Sequence, residues 1–146
     1  MRSANEISAL VTKASRGAGM PLGCAEDFGR AAPALAAAGA LHLVPHLLQM
    51  KFEAPVLEGE ALQNGHPVLA MIAWRDLKEA GRAVELQCDL PAGLRAAMSE
   101  TSAPVGPFNV ESALWARLCQ FAERTFVPES EQSRLAGAGA ASSDND

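Results

Sequence analysis

The sequence predicts an α+β fold: a mainly helical single domain with an N-terminal helical hairpin, a long C-terminal helix and a small minor sheet. Three observations point there. Hydrophobic residues make up 49% of the 146-residue chain, yet aromatics supply only 5% and tyrosine none. Alanine and leucine therefore fill the core, which favours close-packed helices over a sheet sandwich. Apolar residues recur at three- and four-residue intervals toward both ends of the chain. Val84, Leu86 and Cys88, set between Glu85 and Gln87, give the clearest alternation with the period of a strand.

Ser3 and Glu6 form a capping box, after which Ile7, Leu10, Val11 and Ala14 repeat at helical spacing until Gly17 and Gly19 stop the run. Pro21 stands where proline opens a helix, and Ala25, Phe28, Ala32 and Leu35 make a second stripe that ends at Gly39. Pro33 inside that stripe predicts a kink or an early stop. The pair reads as an αα-hairpin turning at Arg16 to Met20. Leu41, Val44, Leu47 and Leu48 form a third short amphipathic stretch, which tolerates Pro45 only in its first turn.

From Phe52 to Gly65 the helical period is lost, and Pro55, Gly59 and Asn64-Gly65 mark turns around an edge strand at Ala54 to Leu57. Pro67 then opens a helix through Val68, Leu69, Ile72, Ala73 and Leu77 to a stop at Gly81, with a strand over Pro67 to Trp74 as the alternative. Pro91-Ala-Gly93 ends the alternating strand. After Pro104, Gly106 and Pro107, Asn109 is placed to cap the final helix, whose Val110, Ala113, Leu114, Leu118 and Phe121 share one face. Pro128 ends that helix. Ser130 to Leu135 make one further turn before a tail of small residues, 135–146.

A chain of this length is the size of one domain, 1–146, able to bury roughly 70% of its unfolded surface without disulfides or metal. The formal net charge of −5 and pI near 5.2 argue against a nucleic-acid partner, which would require a clustered cationic face. No apolar stretch reaches the roughly 20 residues that span a bilayer, so no membrane partner is expected. Cys24, Cys88 and Cys119 are too scattered for a disulfide framework or a zinc site and read as buried thiols in a reducing cytoplasm. His42 and His46 share a helix face at i, i+4, but no glutamate follows His42 as a zincin motif demands, and no metal is assigned. The sequence names no cofactor: Walker-type loops are absent, and Arg16-Gly-Ala-Gly19 lacks the preceding strand that a dinucleotide fingerprint needs.

The candidate site lies at the two ends. Arg16-Gly-Ala-Gly19 is echoed by Arg134-Leu-Ala-Gly-Ala-Gly-Ala-Ala-Ser-Ser-Asp-Asn-Asp146, and glycine-rich backbone passes close to whatever it binds. The leading expectation is that the ends meet around a small anionic metabolite. Arg16 and Arg134 would clamp it, Lys13 would add charge, and N–H groups of Gly17, Gly19, Gly137 and Gly139 would stand beside them. Asp144, Asn145 and Asp146 would close the site, with Glu26 near the turn. The plainer alternative is a glycine helix stop with solvated cations and a frayed acidic tail. Two other classes stay open: an enzyme using Glu26 or Asp144 as base, and an accessory subunit or homo-oligomer whose tail docks into a neighbour.

Asn5-Glu6-Ile7, Lys13-Ala14, Arg16-Gly-Ala-Gly19, Gly23, Ala25-Glu26 and Gly29-Arg30-Ala31, with Val127-Pro128, Arg134, Gly137-Ala-Gly-Ala140 and Asp144-Asn-Asp146, resemble a family of bacterial proteins classed as a domain of unknown function. That resemblance implies no activity. The opening helix, turn and alanine-rich helix are also similar to the N-terminal arm of the malate and L-lactate dehydrogenases outside the Rossmann class, whose Ser-His-Gly signature is missing here.

Overall fold

The computed structural model describes residues 1–100, 102 and 104–125, and these form six helices and a three-stranded sheet. Helix α1 (Ala4–Ala18) begins at the expected capping box: the Glu6 N–H donates to Ser3 Oγ at 3.2 Å, and the Ser3 N–H donates to the Glu6 carboxylate at 2.8 Å. It ends where Gly19 takes φ +102°. There the Gly19 N–H donates to the Arg16 carbonyl and the Met20 N–H to the Ser15 carbonyl, both at 3.0 Å. This is a Schellman cap, which requires the left-handed backbone that glycine adopts without penalty.

Helix α2 (Leu22–Ala37) returns along α1 to complete the hairpin. It runs on through Pro33 to Ala37, without the early stop that the sequence allowed there. Burial of Ala25, Phe28, Gly29, Ala32, Pro33 and Leu35 on one side outweighs the hydrogen bond that proline removes. Helix α3 (Leu43–Gln49) carries Pro45 in its first turn, where a missing N–H costs little.

The small sheet holds the two strands expected, near Ala54 to Leu57 and within Val84 to Cys88, and a third between them. Strand β1 (Val56–Glu58) turns at Gly59, φ +63°, into antiparallel β2 (Ala61–Gln63), and β2 runs parallel to β3 (Glu85–Gln87). The crossover from β2 to β3 is α4 (Pro67–Glu79). The segment from Pro67 is therefore a helix and not the alternative strand, with proline at its first position and His66 as its cap.

Helix α5 (Leu94–Ser99) was not expected; it is six residues long and buries Leu94, Ala97 and Met98 on one side. Helix α6 (Ser112–Glu123) starts later than predicted. Glu111 is its N-cap, without a side-chain cap bond, and Asn109 lies outside it. The reason is a clip upstream: Arg2 and Phe108 exchange two backbone hydrogen bonds of 2.8 Å, which holds residue 108 in an extended ladder. The end expected at Pro128, the turn at Ser130 to Leu135 and the tail 135–146 lie outside the described residues.

The core centres on Ile7, Val11, Phe28, Leu35, Leu47, Val68, Met71, Leu94, Met98 and Leu118. Two glycines set the spacing of the helices around it. A Cβ on Gly29 would collide with Thr12 Oγ1 and stand 2.9 Å from the Ser8 carbonyl oxygen of α1. A Cβ on Gly17 would collide with the Phe121 carbonyl of α6. Both are sites of close backbone approach that any side chain would prevent.

Candidate functional site

A groove of about 860 Å³ lies between the start of α1, one face of α2, the end of α4, and α5 with the chain after it. Small residues make it concave. Asp27, Arg30, Ala31 and Ala34 follow i, i+3, i+4, i+7 spacing and so present one face of α2. Ala97 and Met98 of α5 continue the floor, and Trp74, Arg75, Lys78 and Glu79 of α4 form the opposite wall.

Electrostatics divide the rim. On α2, Arg30 is held by Asp27 at 2.5 Å and Glu26 at 3.8 Å. On α4, neither Arg75 nor Lys78 has a carboxylate within 4.0 Å among the described residues, although Glu79 and Glu100 share the rim. The Lys78 ammonium and the Arg95 guanidinium each lie 5.1 Å from the Trp74 ring centre, attracted by the negative face of the indole. Trp74 is itself fixed, its Nε1–H donating to the Val84 carbonyl at 3.0 Å.

Those expected site residues that are described lie elsewhere. Lys13 and Arg16 are exposed on the last turns of α1, and Glu26 is exposed on α2 beside Arg30. None of them lines the groove, and Arg16 stands two turns beyond Ser8, the last α1 residue to reach it, or roughly 12 Å at the helical rise. Gly17 is engaged in packing against α6, and the Gly19 N–H is already bonded to a carbonyl. The turn is also the C-terminal end of α1, whose dipole repels an anion. Arg134, Gly137, Gly139, Asp144, Asn145 and Asp146 lie outside the described residues.

Two further titratable groups are set by burial. His66 is 1% exposed; its Nε2–H donates to the Leu47 carbonyl at 2.6 Å and its Nδ1 accepts from the Val68 N–H at 3.1 Å. It thus ties the end of α3 to the start of α4 as a neutral ring, and burial lowers its pKa from 6.5, against the smaller opposing effect of the Leu47 bond. Burial, and then the Asp27 and Asp76 carboxylates, push the Cys24 thiol up, the reverse of a helix-stabilised thiolate. Among the described residues no three His, Cys, Asp or Glu side chains gather closely enough to hold a metal ion, and no helix is long and apolar enough to cross a membrane.

The fold and groove define a helix-dominated α+β protein with a polar-rimmed cleft. The chain belongs to a family described as protein of unknown function (DUF3726), whose model matches residues 2–82, more than half of its length. The match takes in the N-terminal motif and the three groove walls from α1, α2 and α4. It stops before α5 and before the C-terminal motif. No curated protein and no solved structure matches the chain.

Proposed function

We propose that this protein binds a small anionic organic molecule in the groove between α1, α2, α4 and α5, with Arg75 and Lys78 as the anion-binding residues. One observation carries the reading. In a chain of formal charge −5, two neighbouring cations without an ion-pair partner among the described residues border a concavity whose floor is apolar. Such a cleft, mostly apolar with a few converging polar groups and between roughly 300 and 1,000 Å³, is the usual form of a ligand site. Arg75 supplies a planar fork for a carboxylate or phosphate and Lys78 a point charge. This moves the expected anion site away from the Arg16 turn while keeping its chemistry.

Trp74 provides the assay. Trp115→Phe leaves Trp74 as the single indole of the chain, and its emission is followed while carboxylates and phosphates are titrated at fixed ionic strength. A saturable change is expected. Arg75→Ala and Lys78→Glu should each weaken it about tenfold or more, the scale of a lost charge-assisted hydrogen bond. Absence of saturation with every anion, or an affinity in both variants equal to that of the parent, would end this reading.

An assembly role has one observation in its favour. Strand β1 is an edge of the sheet, with Val56 50% and Leu57 37% exposed, and an apolar edge strand favours pairing with another chain. Sedimentation of the protein and of Val56→Lys tests it; an unchanged monomer in both would dismiss it.

A further inference from the structure

The groove has two chemical layers, and together they specify more than an anion. Ala31, Ala97 and Met98 are 7%, 5% and 2% exposed, Pro33 is buried, and Ala34 and Trp74 are partly covered. The charged residues Arg30, Lys78, Glu79 and Glu100 are exposed at the rim. A carboxylate head fills the room of one or two waters, each about 30 Å³ of liquid volume, so a single head leaves most of the 860 Å³ unfilled, and Ala31, Pro33, Ala34, Ala97 and Met98 are among the residues that line what remains. A compact polyanion would engage Arg75 and Lys78 and leave that floor wet. An uncharged hydrocarbon would cover the floor and leave both cations without a counterion.

Resting on the reading of the groove as an anion site, we infer that its ligand is an amphipathic anion. A carboxylate or phosphate head meets Arg75 and Lys78, and an aliphatic or aryl body lies along Ala31, Ala34, Ala97 and Met98. The alanines are what make this possible. Ala31 and Ala34 are one and two steps along the groove face of α2, and a larger side chain at either position would occupy the room that the body needs. Leucine at position 34 suits a helix as well as most residues do, so Ala34→Leu closes the floor without touching a charge.

The test uses Trp74 emission in the Trp115→Phe protein, titrated with butyrate, hexanoate, octanoate and decanoate below their micellar concentrations, and separately with inorganic phosphate and citrate. The dissociation constant is expected to fall two- to fourfold per added methylene, the scale of burying one CH₂, and Ala34→Leu is expected to flatten that dependence, weakening decanoate far more than butyrate. A constant that is flat along the series, with phosphate or citrate saturating the site, overturns the amphipathic class but leaves the anion site standing. No saturation by either group overturns both. Flotation with phosphatidylglycerol vesicles separates the sources: decanoate binding without flotation assigns a free acyl or aryl anion, and flotation abolished by Ala34→Leu assigns a bilayer lipid of the same chemistry.

Discussion

Gly17→Ala tests whether the Arg16-Gly-Ala-Gly19 segment serves packing or ligand binding. Gly17 lies within α1, so alanine there gains helix propensity worth about 1 kcal/mol over glycine. Against that gain, the new Cβ would collide with the Phe121 carbonyl oxygen and stand 2.9 Å from its carbon and 3.4 Å from Arg124 Cβ. Carbon atoms rest at about 3.5–4.0 Å, and the obstacle is backbone, which cannot rotate aside. Helix α6 must retreat by an ångström or so, loosening Leu118, Phe121 and Ala122, which are 1%, 4% and 7% exposed. Overpacking of this kind costs about 1–3 kcal/mol, leaving a net loss of up to about 2 kcal/mol. Urea unfolding should show a lower midpoint at unchanged slope. Gly23→Ala, with nothing within 4 Å of the added atom, should instead be neutral or gain up to about 1 kcal/mol. If Gly17→Ala exceeds the parent in stability by the roughly 1 kcal/mol of its helix propensity alone, the α1–α6 approach is wrong. If it weakens anion binding with stability intact, the site belongs at the Arg16 turn after all.

Two further outcomes bear on buried polar groups. Ser15 is fully buried and its Oγ has no hydrogen-bond partner among the described residues; removing an unsatisfied hydroxyl and adding helix propensity should make Ser15→Ala more stable by about 1 kcal/mol, and a loss in the same urea assay would mean that the hydroxyl has a partner. His66 has a folded pKa below its unfolded value of 6.5 because burial disfavours the imidazolium. The unfolded chain therefore takes up the proton first as pH falls, so the contribution is complete above about pH 6.5 and is lost as pH drops through that value toward the lower folded one. Urea midpoints measured from pH 8 to pH 5 should decline through this window, the decline should persist in His42→Gln/His46→Gln, and it should vanish in His66→Asn; a rise on acidification would contradict the neutral ring.

Much of the helical framework was legible because its signals are local. Ser3 and Glu6 cap the helix they precede, Pro67 opens another, and the stripes of Ile7, Val11 and Ala14 and of Ala25, Phe28, Ala32 and Leu35 fall on buried faces. Where a distant contact decides, local reading failed. The Arg2–Phe108 bridge displaces the start of α6 from Asn109, core packing carries α2 through Pro33, and β2 is three residues whose only fully covered side chain is Leu62. The groove was illegible for the same reason. Periodicity groups Asp27, Arg30, Ala31 and Ala34 on one face of α2 and Trp74, Arg75 and Lys78 near one another on α4, but it does not say that the two surfaces oppose each other. Glycine pulled the reading the other way, since the sequence does not distinguish a glycine that admits a ligand from one that admits a neighbouring helix.

The family match ends at residue 82, yet residues 2–82 do not make a complete fold. The parallel partner of β2 is β3, the surface of α1 at Gly17 is covered by α6, and the groove wall from Ala97 to Pro104 lies beyond the match. Leu94, Met98, Leu118 and Phe121 are 0%, 2%, 1% and 4% exposed within one core cluster that also contains Ile7, Phe28 and Met71. At about 1.5–3 kcal/mol for each large apolar side chain, these four represent on the order of 6–12 kcal/mol of burial. That is comparable to the entire net stability of an ordinary domain, roughly 5–15 kcal/mol. A fragment ending at Arg82 should accordingly retain helical circular dichroism but melt without a cooperative transition, while the whole chain melts cooperatively. Cooperative melting of the fragment would show that the matched region owns a core of its own, and the groove would then lie between two units and not within one.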